Sequence, residues 1–136
     1  MVGYLLDASS LLNVIGRLGE SALRGLRGCS ILDLTVYEVG NGVWSLVYLH
    51  REIDYEGGLK LMKAVVRLLA ELRVIDIGEK VLEAYDLTIK EGLTFYDASY
   101  LVAAQSMGLT LVTDDAKLAE KAEKYLNVLS SKDLQG

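Results

Sequence analysis

Short apolar runs alternate with longer amphipathic stretches along this chain, a pattern that argues for an α/β fold built on a parallel sheet. The runs at residues 2–6, 29–34, 73–77 and 109–113 are predicted strands, and residues 128–129 add a short last one. Helices are expected over residues 10–18, 36–50, 56–72, 79–91, 94–108 and 116–125. Thr35 and Thr94 suit N-caps, while Gly92 and Gly108 suit helix stops. Gly16, Gly19, Gly25 and Gly28 mark a loose segment before the second strand. The 136 residues carry no internal repeat or visible boundary, which suits one domain spanning 1–136. A chain of that size buries about 68–70% of its unfolded surface and needs neither a disulfide nor a structural metal.

The junctions carry the chemistry. Asp7, Glu38, Asp97 and Asp115 each stand where an apolar run gives way to a helix, in the words LLDASSLLN, TVYEVGN, TFYDASYLVAAQ and LVTDDAKL. In open parallel sheets ligands bind beyond the carboxyl ends of the strands. That rule gathers Asp7, Glu38 and Asp115 at one edge. Asp97 starts a helix that follows another helix, so the rule does not reach it. Each acid also has an ordinary reading. Thr35 and Glu38 fit a capping box, Thr94 and Asp97 a looser one, Asp114 or Asp115 an N-cap, and Asp7 a turn.

Together the acids are harder to explain by capping. Two carboxylates about 4 Å apart repel by about 4 kcal/mol at an effective dielectric of about 20. A cap contributes only about 1 kcal/mol. Clustered acids therefore call for protonation or a divalent cation, and an oxygen-only donor set favours Mg²⁺ or Mn²⁺ over Zn²⁺. Such an ion keeps waters, one of which is a candidate nucleophile. Ser9 and Thr113 can orient a carboxylate or a water, or can simply cap. Asn41 shares a helix face with Glu38 and can hold a metal water or a phosphate oxygen, or face solvent.

The four words resemble the PIN-domain family, most closely its VapC-type toxins. Asp7 with Ser9 matches the first motif and Glu38 with Asn41 the second. The run Tyr96-Asp97-Ala98-Ser99-Tyr100 matches the third, and Thr113-Asp114-Asp115 the Thr-x-Asp of the fourth. Asp115 takes the ligand position and Asp114 an auxiliary one. Gly42 ahead of the bulky Val43 and Trp44 departs from the family's small residues. The resemblance implies a three-layer fold with a central parallel sheet of about five strands flanked by helices. It also implies a Mg²⁺- or Mn²⁺-dependent ribonuclease, with Asp7, Glu38, Asp97 and Asp115 as its catalytic, metal-holding acids. Further implied are an RNA substrate, a VapB-type antitoxin partner and a homodimer. An inert PIN-like module binding RNA or protein is the alternative.

The net charge of −5 excludes a global basic field for nucleic acid, so a polyanion must be held by local cations or metal. Arg17, Arg24 and Arg27 flank the loose segment and are candidate RNA contacts. Lys60, Lys63 and Arg67 share a helix face, which more commonly means a solvated one. The lone Cys29 reads as a buried small hydrophobe and fits a reducing cytoplasm. No signal peptide opens the chain, and no uncharged run approaches the roughly 20 residues of a membrane span. On the helix from Val36, the valines and Leu46 form a core face. Tyr37, Trp44 and Tyr48 read as a widening of that face, or alternatively as an exposed partner stripe. His50 falls on the core side and reads as a packed or surface His in preference to a catalyst. A phosphoacceptor receiver domain would want a second acid after Asp7 and a Lys after a late strand. An Asp-x-Asp phosphohydrolase fails at the same place, because Ala8 and Ser9 follow Asp7.

Overall fold

The computed structural model of the chain describes residues 3–134. Five strands pair in parallel in the order β3-β2-β1-β4-β5. They are β1 (Tyr4–Leu6), β2 (Ser30–Leu32), β3 (Arg73–Ile75), β4 (Thr110–Val112) and β5 (Val128–Leu129). The helices are α1 (Ala8–Leu18), α2 (Ala22–Gly25), α3 (Asp33–Trp44), α4 (Tyr55–Leu69), α5 (Val81–Glu91), α6 (Phe95–Met107) and α7 (Ala116–Ala122). The three-layer expectation holds, and every predicted strand is present, the first four shorter than their apolar runs and β5 as expected. The first two residues of the chain lie outside the described region.

Because side chains alternate along a strand, each strand feeds two cores. Leu6, Ile31 and Val112 face one core, with Leu11, Val14, Leu26, Val39 and Leu68 from α1 to α4. Leu5, Leu32 and Leu111 face the other, with Ala84, Leu101 and Leu118 from α5 to α7. Residues 98–104 of α6 are all buried, so this helix is apolar on every side and shows no clear stripe. Cys29 is buried as expected.

Three local expectations are revised. The glycine-marked segment is not loose throughout: a short 3-10 turn, Gly19–Ser21, and α2 occupy it. Thr35 does not cap a helix at Val36. The helix starts at Asp33, and Thr35 Oγ1 accepts from the Leu32 N–H at 3.1 Å, three residues behind it. The same helix does not run regularly to His50. It ends at Trp44 and widens into a π-turn over Ser45–Leu49, where the His50 N–H reaches the Ser45 carbonyl at 2.9 Å. The extra residue per turn rotates later positions out of the regular register. His50 lies exposed, the surface alternative of its two readings, and Tyr37, Trp44 and Tyr48 are exposed as well.

Gly92 and Gly108 end α5 and α6 in the left-handed conformation, as the stop signals require. Two other glycines differ in a way that can be measured. A Cβ on Gly58 would meet Val47 Cγ2 at 2.8 Å and Val43 Cγ1 at 3.2 Å, between α4 and the end of α3. A Cβ on Gly16 in α1 would meet nothing within 4 Å. Overpacking costs about 1–3 kcal/mol and the gain in helix propensity is about 1 kcal/mol. Urea unfolding is therefore expected to show Gly58→Ala destabilised by about 1 kcal/mol and Gly16→Ala stabilised by about 0.4–1 kcal/mol.

Candidate functional site

The chain leaves β1 for β2 and β3 on one side, then returns to place β4 and β5 on the other. The strand order reverses between β1 and β4, and a crevice opens at their carboxyl ends. Leu6 pairs with Val112 at the last step of the register, and the Asp7 N–H donates to the Val112 carbonyl at 3.1 Å. Asp7 and Thr113 thereby become neighbours although 106 residues apart.

Asp7 is buried and firmly held. Its Oδ1 accepts from the Ser10 N–H and from Ser9 Oγ, both at 2.9 Å, so it also caps α1. Its Oδ2 accepts a short hydrogen bond from Thr113 Oγ1. Thr113 Oγ1 in turn accepts from the Asp115 N–H at 3.1 Å, so one hydroxyl fixes two acidic positions. Asp115 caps α7 through the Leu118 N–H at 2.9 Å. The capping readings of Asp7 and Asp115 are thus correct as far as they go, yet each carboxylate also faces the crevice.

Glu38 does not form a capping box with Thr35. Its Oε1 accepts instead from the Tyr100 hydroxyl at 2.7 Å. That hydroxyl lies 2.7 Å from Thr35 Oγ1. With the Leu32 N–H donating to Thr35, a buried relay runs from the β2 backbone through Thr35 and Tyr100 to Glu38. Burial foremost, and then the Glu38 carboxylate, hold the Tyr100 phenol in its protonated form. Tyr100 is therefore a permanent donor, and the relay sets where Glu38 points. The sequence placed Tyr100 one turn beyond Asp97, on the same helical face. That spacing was the available signal for its role.

Asp97 sits in the first turn of α6, its N–H donating to Thr94 Oγ1 at 3.1 Å. With Asp7, Glu38, Asp115 and Tyr100 it lines a cleft of about 330 Å³ that contains no Lys, Arg or His. Burial first, then the charges of Asp115, Asp7 and Glu38, raise its carboxyl to about 6. Glu38 is also raised, by burial foremost and by Asp7. Among the described residues no three acidic, His or Cys groups are already disposed to hold one ion. The donor set fits a hard divalent ion: four carboxylates, no competing cation, and one proton held unusually tightly for an acid.

Other predicted residues are distributed differently. Ser9 lines the cleft. Asn41 lies exposed on α3 and outside the cleft lining. Asp114, expected as an auxiliary ligand, faces elsewhere. Its Oδ2 accepts from Asn13 Nδ2 at 2.6 Å and its Oδ1 from the Ser131 N–H at 2.8 Å. Burial opposes its charge, but these hydrogen bonds prevail and lower its pKa. It lines an adjoining cavity with Asn13 and Ser131, both missed in the sequence reading. Arg17 donates to the carbonyls of Ser131 and Leu134 at 2.6 and 2.7 Å, anchoring the C-terminal segment. Arg27 pairs with Glu71 at 3.1 Å, and Arg24 and Arg27 lie outside the acid cleft.

The raised Asp97 carboxyl sets a pH dependence. Unfolded, it would titrate near 3.8; folded, it titrates at about 6. Between those values the folded state holds more protons, so its stability falls as pH rises, and the loss is complete above the folded value. In metal-free buffer, Asp97→Asn should raise the urea midpoint at about pH 7 and change it little at about pH 4.

Comparison with known proteins identifies the family and the fold. The sequence profile of the PIN domain matches residues 4–124. Two relatives come from Pyrobaculum aerophilum. Exonuclease VapC9 is 35% identical over 127 residues, 93% of this chain and 91% of that protein. Ribonuclease VapC3 is 32% identical over 103 residues, 75% and 77% of the two chains. The crystal structure of PAE2754 from the same organism superposes with a TM-score of 0.78 at 32% identity, covering 96% of this chain and 85% of that one. A chain of a toxin–antitoxin complex from Klebsiella pneumoniae shares the fold, with a TM-score of 0.65 at 20% identity over 95% of this chain and 98% of that one. With its acids converging at the strand-order reversal and the profile matched over nearly its whole length, the chain belongs to the PIN-domain family.

Proposed function

We propose that residues 1–136 form one nuclease domain that hydrolyses RNA phosphodiester bonds with Mg²⁺ or Mn²⁺, acting as the toxin of a VapB/VapC-type pair. The observation that carries this reading is the convergence of Asp7, Glu38, Asp97 and Asp115 on one cleft without a neutralising cation. The nuclease names of the two Pyrobaculum relatives support it. A divalent ion bound there would offset charge on the phosphate and lower the pKa of a water.

The chain's own residues supply position. Ser9, Ser10 and Thr113 fix Asp7, and Tyr100 fixes Glu38, before any ligand arrives. Asp97 is the acid most ready to exchange a proton for a cation, since metal ligands bind deprotonated. The cleft lining offers no His or Lys as a general base, and His50 lies exposed on another segment. Among the described residues no helix is long and apolar enough to cross a membrane. A cytoplasmic site of action suits an RNA substrate and a lone buried Cys29.

RNA cleavage by the Asp7→Asn, Asp97→Asn double variant is expected to fall by about 100-fold or more. Calorimetry on the unmodified protein should show Mg²⁺ or Mn²⁺ binding. Unchanged metal-dependent cleavage in the variant would sink the proposal, and no metal binding would favour an inert RNA- or protein-binding module.

An antitoxin partner and a homodimer complete the proposal. Trp44 and Tyr48 stack at 5.9 Å between ring centroids, with Tyr37 exposed on the same helix. Exposed paired aromatics of this kind anchor protein partners. Trp44→Ala is expected to weaken antitoxin binding or self-association by tenfold or more, about 1.4 kcal/mol. Its urea midpoint should stay near that of the unmodified chain, because Trp44 is 47% exposed. Co-purification and light scattering read the first outcome.

A further inference from the structure

The acid cleft is not a closed pocket. It shares Ser9, Leu12 and Gly42 with a second cavity of about 630 Å³. That cavity shares Gly16 and Leu61 with a third, of about 400 Å³. The three form one groove along α1, bounded farther on by α4. Gly16 lies seven residues beyond Ser9, about 10 Å along the helix.

Charge changes sign along this groove. Four carboxylates and no cation line its first part. The third cavity is lined by Lys60, Lys63 and Arg67 against one carboxylate, Glu20. Glu20 pairs with Arg67 at 3.2 Å, but both side chains are well exposed, so an incoming polyanion can displace the pair at little cost. Among the described residues neither Lys60 nor Lys63 forms an ion pair. Arg17, on the middle stretch, is anchored to two neutral carbonyls, which fix its charge without cancelling it. A chain of net charge −5 thus gathers four cations beside one acid along the continuation of its acid cleft.

We propose that this groove holds the single-stranded polynucleotide beyond the scissile phosphate, with Lys60, Lys63 and Arg67 contacting its backbone phosphates. The inference rests on the nuclease reading above. A positively charged groove that tracks the backbone is the form that holds a single strand, and here Leu12, Leu46 and Leu61 line its apolar stretch.

The test uses a labelled oligouridylate of about twelve nucleotides, within the range of sizes such grooves hold. Its binding is followed by fluorescence anisotropy in EDTA, and its Mn²⁺-dependent cleavage is compared with that of a dinucleotide. In the Lys60→Gln, Lys63→Gln, Arg67→Gln variant, the slope of log affinity against log salt should shrink by about 2, near 0.7 per lost phosphate contact. Cleavage of the oligonucleotide should fall about tenfold, a loss of about 1.4 kcal/mol, while dinucleotide cleavage is unchanged. Gly16→Gln places a side chain in the open groove and should weaken oligonucleotide binding without a change of charge. Urea midpoints verify that both variants fold. The proposal is overturned if both bind and cleave the oligonucleotide as the unmodified protein does. It is equally overturned if dinucleotide cleavage falls in parallel, or if only binding of an acidic antitoxin peptide is lost. If the unmodified protein cleaves neither substrate while the salt slope still shrinks in the triple variant, the nuclease reading fails and the polynucleotide groove stands.

Discussion

The parallel pairing of β1 with β4 positions Asp7, Thr113 and Asp115 at the site. It sets two chain segments about a hundred residues apart side by side, and it does so at the one place where strand order reverses. The pairing is continued past the strands by the Asp7 N–H on the Val112 carbonyl, which also accepts from Ser10 Oγ at 2.8 Å. Thr113 then bridges Asp7 and Asp115. A slip of one residue in this register would turn Leu5 and Leu6 toward the wrong cores and part Asp7 from Thr113 at the same time. Core packing and site geometry are consequences of one ladder.

Around that ladder the electrostatics are deliberately unbalanced. Capping hydrogen bonds stabilise Asp7 and Asp115 locally, and a buried tyrosine holds Glu38, so three carboxylates are kept where their charges oppose one another. Asp97 shows the strain most clearly, retaining its proton to about pH 6. Compensating cations exist, but farther off along α1 and α4, outside the acid cleft. The cleft is left short of positive charge and the groove beyond it carries an excess. A metal ion at one end and a polyanion along the other would neutralise both.

Much of this was legible in the residues. Apolar runs gave the strands, and glycines at positions 92 and 108 gave the helix ends, because each signal is local. Asp7, Glu38 and Asp115 were legible together because each lies on the segment that leaves a strand for a helix. Asp97 was harder only in appearance. A helix leading into a parallel strand must run back against it, so its start lies at the carboxyl edge where the other acids are. What sequence could not supply was orientation. Asp114 and Asp115 are adjacent, and only the position of the C-terminal turn makes the first bind Asn13 and Ser131 and leaves the second to the cleft. The exposure of His50 was equally out of reach, since a π-turn shifts the helical phase without an obvious mark in the residues.

By itself, then, the sequence determined the α/β class, the order of the elements and the identity of the acids, because hydrophobic period and capping chemistry act over a few residues. The tertiary structure alone decided that Asp114 leaves the cleft while Asp115 lines it, and that Tyr100 holds Glu38. It alone joined that cleft to the lysines of α4. Those outcomes depend on strand order, register and helix packing, which bring together side chains far apart in the chain and leave no local imprint on it.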